Sequence, residues 1–198
     1  MTPGSGSIIK RLGIFGGSFN PVHNGHLHAV RLFKEELNLD LVLLVPSAAP
    51  FYKNTCGTEF QHRLSMCRLA IKNTTGLAVC DLEREHPEGM YTRDLVLRLR
   101  AMYEGSSLFL LMGDDAFGRL PNWPGYKEIV GAARIAVMQR GPGTAAPGGC
   151  GEKWISGAAL PISSTAVREA LARNQSVASL LPSEVAAYIY WYRLYRSR

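Results

Sequence analysis

Short apolar runs alternate with amphipathic stretches along most of this 198-residue chain, and that alternation restricts the fold more than any other feature. The runs are 8–15 (IIKRLGIF), 41–45 (LVLLV), 77–83 (LAVCDLE), 108–113 (LFLLMG) and 133–140 (ARIAVMQR), with 153–160 (KWISGAAL) as a sixth candidate. Between them, 25–38, 59–73 and 92–103 have the period of helices. Leu27, Val30, Phe33 and Leu37 share one face of the first, and Phe60, Leu64, Cys67 and Ile71 one face of the second. Pro46 ends the second run. Apolar strands separated by amphipathic helices predict an α/β fold, a doubly wound parallel sheet of Rossmann-like type covered on both faces. Residues 8–198 read as one domain behind a flexible leader, 1–7. The domain ends in a helical part, about 163–198, whose last helix starts near Pro182. A Gly/Pro-rich loop spans 141–152.

Composition narrows the class. Apolar residues make up 46% and charged residues 19%, an ordinary globular balance. No apolar run approaches the roughly 20 residues of a membrane span, and no basic, apolar export signal opens the chain. A cytoplasmic protein is expected. Cys56, Cys67, Cys80 and Cys150 are too scattered for a zinc site and read as reduced thiols. The net charge of +6 suits anionic partners. Its lysines and arginines are dispersed apart from the terminal YRLYRSR, which favours small phosphorylated ligands over nucleic acid. A homo-oligomer stays open. The aromatic run Tyr188, Tyr190, Trp191, Tyr192 and Tyr195 reads as helix packing.

Ligands of such sheets bind at the C-terminal ends of the strands, and GGSFNPVHNGHLHAV (16–30) lies at one of them. Gly16 and Gly17 let the backbone approach a ligand closely. The helix beginning near Gly25 offers unpaired N–H groups and a positive dipole end, which suit phosphate. His23 and His26 flank that end, and a spacing of three lets both face one ligand. The alternative is a glycine turn with surface histidines, and His28 is read as one. A second string, ISSTAVR (162–168), places Ser163, Ser164 and Thr165 at the N-cap and first turn of a helix, with Arg168 one turn on along the same face. Alone it would read as a capped helix with a surface arginine. Beside the first string it reads as a second anion cradle.

The first string resembles the (H/T)-x-G-H signature of the nucleotidylyltransferase superfamily, with His23, Gly25 and His26 at its positions. The second resembles that superfamily's I-S-S-T-x-x-R element. Further strings resemble one branch, the bacterial nicotinate or nicotinamide mononucleotide adenylyltransferases. PSAAPFYK resembles its proline-rich loop ending in a lysine, here Lys53, with Arg63 and Met66 fitting the helix after it. MYTRDLVLRL resembles its Y-T-x-D-T-L helix start at Tyr91, Thr92 and Asp94. LMGDDAFGRLPNW resembles its G-x-D…W element at Gly113, Asp115 and Trp123, and LPSEVAAYI its terminal helix. The likeness runs from about residue 8 to 195. It departs at Asn20, where many members have aspartate, at Phe51-Tyr52, where many have Pro-His, and at Leu95-Val96, where Thr-Leu is usual.

The resemblance implies adenylyl transfer from ATP to nicotinate mononucleotide, giving deamido-NAD and pyrophosphate in NAD biosynthesis. His23, His26 and Arg168 would be catalytic. ATP would meet Gly16, Gly17, Ser18, Phe19, His26, Lys53, Gly113, Asp115, Ile162, Ser163, Ser164, Thr165 and Arg168. The pyridine nucleotide would meet Asn20, Tyr91, Thr92 and Trp123. Mg²⁺ would accompany ATP with few protein ligands, and no metal site of the protein's own is expected. Nicotinamide mononucleotide as preferred acceptor, a phosphopantetheine adenylyltransferase and an inactive nucleotide sensor are the competing readings. A tRNA synthetase-like fragment would need a lysine-rich K-M-S-K-S loop that ISSTAVR lacks.

Overall fold

The protein is described from a computed structural model, over residues 8–49, 58–139, 152–156 and 160–196. Six strands form one all-parallel sheet: β1 (Arg11–Gly17), β2 (Leu41–Pro46), β3 (Leu77–Val79), β4 (Ser107–Gly113), β5 (Arg134–Gln139) and β6 (Lys153–Ser156). Their order is β3-β2-β1-β4-β5-β6. The chain winds outward from β1 in one direction and then from β4 in the other, so the expected doubly wound sheet is present. The order reverses between β1 and β4, which opens a crevice at their C-terminal ends.

Alternation along the strands builds two cores. Leu12, Ile14, Leu41, Leu43, Val45, Leu108, Leu110, Met112, Ile135 and Val137 face one side, against α3 (Thr92–Met102) and α5 (Tyr126–Ala132). Phe15, Val42, Leu44, Phe109, Leu111, Ala136 and Met138 face the other. There they meet α1 (Asn24–Glu36), α2 (Phe60–Ala70), α6 (Ser164–Ala172) and α7 (Ser183–Trp191). A one-turn helix, α4 (Asp114–Phe117), follows β4 directly. Strands buried on both faces read as unbroken apolar runs, which is why they stand out in the sequence.

The boundaries move for identifiable reasons. β1 begins at Arg11 and extends through both glycines, because pairing with β2 continues to Gly17 opposite Pro46. β3 covers 77–79 only. Its edge ends where the Cys80 N–H reaches Leu44 and the Arg84 N–H closes a turn on Asp81, so 82–85 form a 3₁₀ turn instead of strand. Pro182 caps α7 rather than entering its first turn. β6 keeps only the first half of 153–160, and residues 157–159 lie outside the described residues. So do the leader 1–7, nearly all of the 141–152 loop, and Cys56 and Cys150. Tyr188 and Tyr195 pack against the core as expected of the aromatic run, whereas Tyr190, Trp191 and Tyr192 are exposed. His28 is half-buried. Among the described residues no helix is long and apolar enough to cross a membrane.

Gly13 is required by packing. A Cβ there would lie 2.8 Å from Leu39 Cδ1 and 2.9 Å from Leu111 Cδ1. Gly13→Ala should therefore cost about 1–3 kcal/mol by overpacking and lower the thermal midpoint by roughly 2–4 °C per kcal/mol, read by calorimetry. Cys67 is fully buried, and burial pushes its thiol far above the usual range. Iodoacetamide should leave Cys67 unmodified until the protein is unfolded, as peptide mass mapping would register.

Candidate active site

The crevice is floored by the ends of β1 and β4. Gly16 is exposed and nothing lies within 4 Å of where its Cβ would stand, so the backbone there is open to a ligand. A Cβ on Gly17 would stand 3.2 Å from the ring of Phe19. Phe19 itself has φ 43° and is buried, its ring 5.0 Å from that of His26. The turn 17–22 thus curls over its own aromatic residue and delivers the chain to α1.

His23 is the N-cap of α1. The Nδ1 of His26 accepts the backbone N–H of His23 at 3.2 Å. An Nδ1 that accepts carries no proton, so the proton of the His26 ring sits on Nε2. The two rings stack with centroids 3.6 Å apart and planes at 28°. Gly25 permits this stack. A Cβ there would stand 3.1 Å from His23 Nδ1 and 3.4 Å from Ile162 Cβ. Ile162 packs against the core and brings the start of α6 beside the start of α1.

At α6 the hydroxyls are already engaged. Ser163 is the N-cap, and its Oγ accepts the Ala166 N–H at 3.1 Å. Ser164 Oγ donates to the Pro21 carbonyl at 3.0 Å. Arg168 Nη1 donates to the Asn20 carbonyl at 2.8 Å, and Nη2 reaches Thr165 Oγ1 at 3.2 Å. ISSTAVR is therefore stitched onto the 18–21 turn by its side chains. Its first-turn N–H groups are those a helix leaves without intrahelical carbonyls. Asn20, expected beside the pyridine nucleotide, is 3% exposed, and its Oδ1 accepts the hydroxyl of Tyr195 at 2.6 Å.

Arg63, which the sequence places only on the helix after the lysine loop, is a support under the crevice. Arg63 is 1% exposed and donates to the carbonyls of Ser18 (2.7 Å), Ala48 (3.0 Å) and Thr58 (3.2 Å). The Ala48 N–H in turn donates to Glu83 Oε2 at 2.8 Å. Together they lock the glycine turn to the segment leaving β2. Arg63 lies three after Phe60 and four before Cys67, inside the apolar stripe of α2. A charge at such a position was the available signal. Burial pushes the carboxyl of Glu83 above its ordinary value, against hydrogen bonds from the Ala48 and Met90 backbone.

Across β4 the second half of the site takes shape. Gly113 caps α4, and Asp115 is exposed, with Arg119 Nη2 at 4.0 Å. Thr92 opens α3, with the exposed Tyr91 as its N-cap. Trp123 packs at the edge of the α3 core. Gly125, with φ 74°, brings the 123–125 turn onto α3's first turn. A Cβ there would meet the side chain of Arg93 at 2.3–2.9 Å. Lys53, with Phe51 and Tyr52, lies outside the described residues.

The chain is similar to known proteins in sequence and in fold. The cytidylyltransferase-like family model matches residues 14–170, and the chain belongs to that family of nucleotidylyltransferases. Among its curated relatives, a probable nicotinate-nucleotide adenylyltransferase of Pseudomonas putida is 34% identical, with 96% of each chain covered. One from Neisseria meningitidis is 32% identical over 94% of this chain and 99% of the relative. Within the family, then, this chain belongs with the nicotinate-nucleotide adenylyltransferases. Solved structures agree in fold. The Plasmodium falciparum nicotinic acid mononucleotide adenylyltransferase complexed with NaAD superposes with a TM-score of 0.77 at 23% identity, covering 94% of this chain and 97% of that one. A putative nicotinate-nucleotide adenylyltransferase from Vibrio parahaemolyticus gives 0.71 at 20%, covering 96% and 98%.

Two predictions test the support. Arg63→Met should leave three carbonyls, one of them buried, without this donor and cost about 3 kcal/mol, a fall of roughly 10 °C in thermal midpoint by calorimetry. For Glu83 the folded state favours the protonated carboxyl, so its ionisation opposes folding as pH rises above 4.5. Glu83→Gln should be the more stable protein at pH 7, and its advantage should shrink as pH falls toward 4.5, followed by urea titration at each pH.

Proposed function

We propose that this chain transfers the adenylyl group of ATP to nicotinate mononucleotide, forming deamido-NAD and releasing pyrophosphate. The observation that carries the reading is the convergence of two helix starts, α1 with its stacked His23–His26 pair and α6 with Arg168, on one exposed glycine turn. Such a place concentrates donors and positive potential without a fixed carboxylate, which suits a polyphosphate.

In the reaction an oxygen of the acceptor's 5′-phosphate attacks the α-phosphorus of ATP. The bond from that phosphorus to the oxygen bridging to the β-phosphate breaks, and pyrophosphate carries the charge away. The attacking phosphate is already an anion, so no protein base or nucleophile is needed. Catalysis consists of positioning and of donors aimed at the charge that develops. His26, with its proton on Nε2, donates toward the oxygens between the α- and β-phosphates. His23, buried behind it, fixes the ring by stacking and adds its own polar edge. Arg168, Lys53 and the first-turn N–H groups of α6 hold the β- and γ-phosphates. Ser163, Ser164 and Thr165 contribute through the backbone and by orienting Arg168, since their hydroxyls serve the cap, the Pro21 carbonyl and the guanidinium.

Gly16, Gly17, Ser18 and Phe19 shape the floor beneath the nucleotide. Gly113 and Asp115 stand at the β4 end for the ribose hydroxyls, and Ile162 closes the apolar side. Tyr91, Thr92 and Trp123 border the pyridine nucleotide, whereas Asn20, expected beside it, is buried beneath the turn and acts through the backbone it holds.

Magnesium prefers oxygen ligands, chiefly carboxylates, phosphates and water. The groups gathered on the glycine turn are imidazoles, a guanidinium and hydroxyls. Among the described residues no cluster of three His, Cys, Asp or Glu could hold an ion. These residues do not fit a resident magnesium site, and the ion belongs to the substrate, arriving on the phosphates of ATP. The reaction is placed in the cytoplasm, with ATP and a pyridine mononucleotide as partners.

Pyrophosphate release from Mg²⁺-ATP with nicotinate mononucleotide, nicotinamide mononucleotide or phosphopantetheine tests the assignment. Preference for the nicotinate form is expected. Activity with phosphopantetheine alone would move the protein to another acceptor class, and ATP binding without release would make it a sensor. His26→Ala should lower kcat about 100- to 1,000-fold and change the KM for either substrate far less.

A further inference from the structure

The turn that follows α7 is held to the fold. After α7, Arg193 has φ 52°, its N–H bonds Tyr190, and the Leu194 N–H bonds Ile189, a helix-ending turn usually built on glycine. Two residues on, Tyr195 has φ 62°. Non-glycine residues rarely adopt this left-handed backbone, and it persists where surrounding contacts impose it. Here Leu194 and Tyr195 pack against the core. The Tyr195 hydroxyl then donates to Asn20 Oδ1 at 2.6 Å, across 175 positions of sequence.

Asn20 is held from two directions. Its side-chain oxygen accepts from Tyr195, and its backbone carbonyl accepts from Arg168 Nη1 at 2.8 Å. The next carbonyl, Pro21, accepts from Ser164 at 3.0 Å. The turn that carries the nucleotide floor is thus clamped between Tyr195 and α6. We propose that Tyr195 is a positioning residue of the adenylyl-transfer site, acting through Asn20 to hold Arg168 where the phosphates of ATP bind. This rests on the ATP site argued above.

The chemistry of Asn20 matters to the clamp. A neutral amide accepts the tyrosine hydroxyl without placing a negative charge beside the guanidinium, whose charge stays available to phosphate. Without the hydroxyl, the buried amide oxygen loses the short bond from Tyr195. The turn then shifts to satisfy it, and Arg168, bonded to the same residue, shifts with it.

Tyr195→Phe removes one oxygen and keeps the ring packing. We expect the KM for ATP, and its Kd by calorimetry, to rise about threefold to tenfold. The KM for nicotinate mononucleotide should stay within about twofold of the parent. In an Arg168→Lys background the same change should be silent, because lysine cannot reproduce the two-point contact with Asn20 and Thr165. Asn20→Asp retains an acceptor and should retain the Tyr195 effect. Unchanged ATP binding in Tyr195→Phe would overturn the proposal. So would equal losses for both substrates, or the same loss with and without Arg168, since those patterns mark a purely structural role. The outcome is separable from the assignment of the reaction. A parent protein that binds ATP but releases no pyrophosphate sinks the reaction, while the calorimetric comparison still decides the clamp. A parent that binds no ATP sinks both.

Discussion

The site depends on β1 pairing in parallel with two neighbours whose chains then leave in opposite directions. With β2 on one side and β4 on the other, β1 is buried from Leu12 to Phe15, and its C-terminal end opens where the winding reverses. A parallel strand in this position must hand the chain to a helix on one face. The handover therefore occurs over the crevice, and α1 starts there behind its cap, His23. Gly13 lets neighbouring side chains close over the strand, while Gly16 leaves the strand end uncovered. One run of sequence thus supplies a packed base and an open tip.

Two arginines divide the work of fixing that tip. Arg63 is wholly buried and spends its guanidinium on the carbonyls of Ser18, Ala48 and Thr58. Arg168 is bonded on one edge to the turn and the Thr165 hydroxyl. The first has no role left but support. The second is anchored at two points and remains only half-buried. The difference follows from the elements that carry them. Arg63 sits within the apolar stripe of α2, whereas Arg168 sits in the first turns of α6, at a boundary with solvent.

The parts legible in sequence were those with periodicity or strong local chemistry. The strand runs, the α1 stripe and the two phosphate-type strings were visible because burial on both faces and helix starts leave compositional marks. Boundaries failed where tertiary pairing overrode local signals. β1 runs into two glycines because β2 keeps pairing there, and β3 stops early because it is an edge with one neighbour. The short helices α4 and α5 were unseen, since one or two turns carry too little periodicity. The charge inside the α2 stripe marks Arg63 as buried, but its partners, like those of Glu83 and Tyr195, lie in segments distant in sequence, which no local pattern encodes.

The hydroxyl groups of ISSTAVR illustrate why residue type alone underdetermines function. Read in sequence, three hydroxyls at a helix start look like direct ligands for an anion. In the fold, Ser163 caps the helix, Ser164 holds Pro21, and Thr165 meets Arg168. Each bond removes freedom from a helix N–H, the 18–21 turn or a charged group that would otherwise have to be ordered on binding. Ordering them in advance shifts that entropic cost from the binding step to folding. A site that must stabilise charge developing on a phosphate gains from donors already in place, because donors that reorganise during the reaction return part of what they contribute. The hydroxyls then matter most for how rigidly they hold the groups beside them, and the rigidity of the turn, from Arg63 beneath to Tyr195 behind, is part of the same preparation.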